Sequence, residues 1–137
     1  MIYKATQEIA NVLAEKGLNY DILEGNDVSR VICDVKGSAF AYRIQFISLD
    51  DDSDMAVRVF DLVRFPKEKQ ETMIIFANNC NKKCRYLKFT VSDNAMNIEF
   101  DCPNSCVDIG NLAVELLARI MKIVNEVGTD LMRQIWA

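Results

Sequence analysis

The sequence predicts an α+β domain of two layers, an antiparallel sheet with helices packed on one face. Three observations predict it. Five runs alternate apolar and polar residues with a period of two. Three stretches repeat apolar residues at helical spacing. The links between the runs are too short for crossover connections, so neighbouring strands are expected to be antiparallel. A chain of 137 residues is large enough for one full core, and no shift in composition divides it, so residues 1–137 are read as a single domain.

The first helix is expected from Ile2, Ala5, Ile9, Val12 and Leu13, which fall in one stripe. Gly17 is placed to end it, because glycine enters the left-handed conformation without Cβ strain. Residues 20–23 are readable as a short extended segment, and Gly25-Asn26-Asp27 as a turn. Val31, Cys33 and Val35 alternate with polar neighbours. After the hairpin residues Lys36-Gly37-Ser38, Phe40, Tyr42, Ile44 and Phe46 do the same. An acidic turn over residues 50–54 leads into Met55, Val57 and Val59.

Pro66 opens a second helix at the position where a missing N–H costs nothing. One face of that helix carries Met73, Phe76, Ala77, Cys80 and Cys84. Two strands follow, with Leu87, Phe89 and Val91 on one and Met96, Ile98 and Phe100 on the other. Ser92-Asp93-Asn94 turns between them. Asp108 caps a long final helix that extends to about Arg133. The expected order is α-β-β-β-α-β-β-α, with the segment at 20–23 as an optional extra strand.

Composition excludes more than it identifies. With no histidine, the chain has no Ser-His-Asp triad, no histidine base and no histidine zinc ligand. A net charge of −4 disfavours a phosphate-binding surface, and Lys82, Lys83, Arg85 and Lys88 form the single basic cluster, interleaved with Tyr86 and Phe89. No P-loop, dinucleotide fingerprint or nucleophile elbow is present, and pairs such as Asp101 with Asp108 are not placed in one cleft by their spacing. The expectation is a non-enzymatic protein without a cofactor that binds neither nucleic acid nor membrane. The first residues lack the apolar run of a secretory signal, and five cysteines are an odd number. A cytoplasmic protein with reduced thiols is therefore expected.

Two constellations could hold metal. Cys80 and Cys84 are followed by Cys102 and Cys106, a repeated spacing whose four thiolates suit tetrahedral zinc. The first pair shares a face with Met73, Phe76 and Ala77, which favours a core role, since buried cysteine packs as a small apolar side chain. Asp50, Asp52 and Asp54 resemble the start of a calcium loop. Met55 stands where that loop requires glycine and Asp61 where it requires glutamate, so the segment reads as a solvated turn.

The final helix is more apolar than one core contact needs. Its polar arc holds Asn111, Glu115, Arg119, Lys122 and Glu126, which leaves an apolar arc of roughly 200° against the ~100° of a single core-facing stripe. Ile109, Leu116, Ile120 and Val127 form the central stripe. Either the helix is covered on two sides by its own domain or, as is expected here, the flank with Leu117, Met121 and Val124 meets a second copy of the chain or another protein. Trp136 reads equally as an anchor for the same surface and as a terminal packing residue.

Several short motifs share a family pattern. They are Gly17-Leu18-Asn19-Tyr20, the aromatic hairpin at 40–46, Phe65-Pro66-Lys67-Glu68-Lys69 and Phe76-Ala77-Asn78-Asn79-Cys80-Asn81. Lys88-Phe89, Glu115-Leu116 and Ile135-Trp136-Ala137 complete the set. In these the chain resembles the YbjN family, bacterial proteins assigned to sensory transduction. The resemblance implies a fold like that of the type III secretion chaperones and a regulatory or chaperone-like role without catalytic residues. The cysteines lie outside the family pattern. Asn78 and Asn81 have a physical role of their own: spaced three apart, they can satisfy the last helical carbonyls or the backbone of the next strand. The reading is a protein-binding module and homodimer, with a thiol or zinc site at Cys80, Cys84, Cys102 and Cys106 as the alternative.

Overall fold

A computed structural model of the protein describes residues 1–49, 53–105 and 108–137. These residues form an α+β fold with a six-stranded open sheet and three helices. In chain order the elements are α1 (Lys4–Glu15), β1 (Asp21–Gly25), β2 (Val28–Lys36), β3 (Ala41–Leu49) and β4 (Asp54–Arg64). A single 3-10 turn (Lys67–Lys69) then leads into α2 (Gln70–Asn81), β5 (Lys88–Ser92), β6 (Ala95–Pro103) and α3 (Ile109–Trp136).

Local chemistry sets most boundaries where the sequence places them. Gly17 takes φ +68° after α1, and the Leu18 N–H donates to the Leu13 carbonyl at 2.9 Å, closing the helix end. Asn26-Asp27 makes the two-residue hairpin turn between Gly25 and Val28, with Asp27 at φ +57°. Asp93 and Asn94, at φ +51° and +58°, make the equivalent turn between β5 and β6. Asp108 caps α3, its carboxylate accepting from the Asn111 N–H.

The strands lie in the order β1-β2-β3-β4-β6-β5, every neighbouring pair antiparallel. Ile22, Val31, Phe46, Val57 and Phe100 are aligned across the sheet on the face toward the helices. Val31, Phe46, Val57, Ile98 and Met73 are buried there with Ile9, Leu13, Leu116 and Ile120 in one core. The opposite face carries Arg30 bonded to Gln45 at 2.9 Å. On the same face Arg58 sits between Glu99 at 3.3 Å and Asp101 at 2.9 Å.

Four features differ from expectation. The extended segment near residue 20 is a full strand, so four strands precede α2. The link from β4 to β5 is a crossover: α2 carries the chain past β6, which then returns between them. Strand pairing is non-local, and sequence spacing does not report it. β4 continues beyond Val59 to Arg64 through an irregularity at which Asp61 takes φ +48°, its N–H donating to Asn97 Oδ1 at 2.8 Å. Finally, Pro66 precedes the 3-10 turn instead of opening α2, and α2 stops at Asn81.

Candidate protein-interaction surface

The apolar arc of α3 is largely consumed by its own domain. Ile109, Leu116, Ile120 and Val127 are buried, as expected of the central stripe. Leu117 and Val124 are buried too, at 7% and 3% exposure, which corrects their placement on an outward flank. Two elements pack closely on α3: α1 near its start, and the turn between β2 and β3 farther along, where a Cβ on Gly128 would lie 3.1 Å from Ala39 Cβ. A Cβ on Gly110 would lie 2.4 Å from Val12 Cγ2 and 2.9 Å from the Glu8 carbonyl, so the helices approach backbone to side chain at this point. Of the four residues singled out, Met121 (38%) and Trp136 (79%) remain at the surface.

Trp136 is not isolated. Lys69 Nζ donates to the carbonyl of Ala137, which pins the last turn of α3 beside the start of α2. Thr72, Ile75, Phe76, Asn79 and Gln134 line a shallow hollow of about 210 Å³ between the same two helices. Ile74 and Ile75 are half exposed on α2. The sequence reading overlooked these two because Met73 and Ala77 define the buried face. The overlooked signal is the unbroken run Met73-Ile74-Ile75-Phe76-Ala77, since five consecutive apolar residues cannot all face one core. Burying such residues removes apolar area from water at roughly 25 cal/mol per Å².

The thiols are dispersed. Cys80 is buried on α2, Cys102 is buried near the end of β6, and Cys84 lies half-buried beyond the end of α2. The two members of the first pair therefore do not share a helix face. Cys106 lies outside the described residues. Among the described residues no three Cys, Asp or Glu side chains converge as metal ligands. Burial, with a smaller contribution from Cys84, pushes the Cys80 thiol up to about 11, and burial likewise raises Cys33 to about 11. Thiols held protonated in this way are poor nucleophiles and poor ligands.

The remaining candidates also find places. Of the acidic turn, Asp50 and Asp52 lie outside the described residues and Asp54 begins β4. Lys82, Lys83, Arg85 and Lys88 are exposed around the loop after α2. Asn81 bonds the backbone of the following strand, while Asn78 is exposed. Asp101 is engaged by Arg58, and Asp108 by Asn111. No helix among the described residues is long and apolar enough to cross a membrane.

Comparison with known proteins returns no matching family model, no matching curated protein and no matching solved structure. Function must be argued from the surface itself.

Proposed function

We propose that the chain is a non-enzymatic protein-binding module of YbjN type, chaperone-like in fold and regulatory in role, which acts by presenting apolar surface to another protein. The supporting observation is the exposure of Trp136, at 79%, on the last turn of α3, which Lys69 holds beside the start of α2, the helix that carries the half-exposed Ile74 and Ile75. A large rigid aromatic side chain beside branched aliphatic ones is the composition of interface anchors rather than of a solvated helix end. Met121 extends the same character along α3. The simplest partner is a second copy of the chain, which would bury the same patch twice about a two-fold axis. Cytoplasmic placement and the absence of nucleic-acid or membrane partners belong to this reading, consistent with the net charge of −4.

Light scattering across a concentration range tests it. The protein is expected at twice its 15.6 kDa mass, with Trp136→Ser and Met121→Glu shifted toward monomer at unchanged helix content. A wild-type monomer at high concentration would remove the homodimer.

A further inference from the structure

We infer that the groove between the loop after α2 and the outer side of α3 binds an acidic, partly apolar segment of a second protein. It has a volume of about 480 Å³ and is lined by residues of two elements only. Lys83 and Arg85 come from the loop, Arg119 and Lys122 from α3, and the floor is made by Cys84, Leu87 and Ile123. Glu115 and Glu126 stand at its two ends. Four cations against two carboxylates leave an excess of two positive charges, on a protein whose net charge is −4. Among the described residues Lys83, Arg85 and Lys122 make no ion pair, whereas Arg119 is held by Glu115 at 2.8 Å. Unpaired cations along a groove with low-dielectric walls attract negative charge more strongly than the same cations on open surface.

The cationic wall is built rather than incidental. Tyr86 takes φ +70°, a conformation that costs a non-glycine residue on the order of 1 kcal/mol or more. That backbone turns its ring beneath Arg119, whose guanidinium lies 5.2 Å from the ring centroid. The ring in turn meets Phe100 edge-on at 5.9 Å. Arg119 is thus fixed from two sides before any ligand arrives, which lowers the entropy cost of binding.

The shape and charge select the ligand class. From Glu115 to Glu126 the groove follows α3 for about 16 Å, the length of some five extended residues. Half-buried Cys84 and exposed Ala118 add apolar surface among the cations, so the fitting segment carries apolar side chains between acidic ones. A nucleic-acid strand fits less well. Glu115 and Glu126 repel a continuous phosphate backbone, and Arg119 takes one face of the Tyr86 ring.

This inference rests on the reading of the chain as a protein-binding module and is tested separately from the Trp136 surface. The probe is a fluorescein-labelled Glu-Leu-Glu-Leu-Glu peptide, followed by anisotropy at low salt. Saturable binding is expected, weakened at least tenfold by 0.5 M salt and by Lys83→Glu combined with Lys122→Glu, and unchanged by Trp136→Ser. Both lysines are exposed, and circular dichroism of the variant confirms retention of the fold. Three results overturn the inference: no saturable binding, binding indifferent to the charge reversal, or displacement of the peptide by equimolar oligo-dT or inorganic phosphate. Loss of the dimer in Trp136→Ser with peptide binding intact separates the two claims.

Discussion

Asn81, the last residue of α2, holds both backbone polar groups of Phe89 on the edge strand β5. The Phe89 N–H donates to Asn81 Oδ1 at 2.6 Å, and Asn81 Nδ2 donates to the Phe89 carbonyl at 3.0 Å. β5 is the outermost strand on its side of the sheet, so these groups would otherwise face solvent or another chain. One amide thereby fastens α2 to β5 and closes part of an open edge. Asn81→Ala is expected to cost about 1–3 kcal/mol in urea denaturation, because both backbone groups are left part-buried without a partner. It is also expected to raise aggregation through the opened edge, measurable as turbidity on storage. A variant as stable and as soluble as wild type would show the clasp to be incidental.

Gly110 supports a prediction whose sign runs against helix propensity. At an ordinary helical position Gly→Ala stabilises by roughly 1 kcal/mol. Here the added Cβ would meet Val12 and the Glu8 carbonyl of α1. Gly110→Ala is expected to destabilise by about 1–3 kcal/mol, as overpacking does, with part of the loss recovered when Val12→Ala is added. Thermal melts of the two single variants and the double variant read this directly.

The same glycine explains what the sequence did and did not disclose. Turns were legible because their chemistry is local: Asp27, Asp93 and Asn94 adopt the positive φ values that their side chains tolerate. The buried stripe of α3 was legible from its period. The coverage of Leu117 and Val124 was not, because it depends on how closely distant segments approach α3, and a glycine inside a helix, such as Gly110 or Gly128, reads as a weak helix former, not as a point of contact. The placement of β6 between β4 and β5 was hidden for the same reason: no local residue encodes which distant strand is the neighbour. At the candidate surface, Trp136 and Met121 were identified from the sequence, whereas Ile74 and Ile75 were masked by the better-defined buried face beside them.

The buried thiols set an alkaline limit on stability. Cys33 and Cys80 remain protonated in the fold up to about 11, while in the unfolded chain they ionise near the ordinary thiol value of roughly 8.5. Their contribution is therefore complete below pH 8.5 and is lost as pH rises toward 11, where the unfolded state gains by ionising. Urea midpoints are expected to fall over this window, and to fall less in Cys80→Ala. At pH 8 a thiol reagent is expected to label Cys84, which is half-buried, well before Cys80. Equal labelling rates would contradict the burial of Cys80.

Trp136 is the single tryptophan of the chain, so its fluorescence reports the proposed interface without a label. At 79% exposure the isolated chain should emit as a solvated indole. The decisive measurement is its emission maximum and acrylamide quenching as protein concentration rises, with light scattering on the same samples. The account predicts a blue shift and reduced quenching that track dimer formation, both displaced to higher concentration in Met121→Glu. A solvated emission maximum and full quenching at every concentration, in samples that scatter as dimers or remain monomeric, would contradict it.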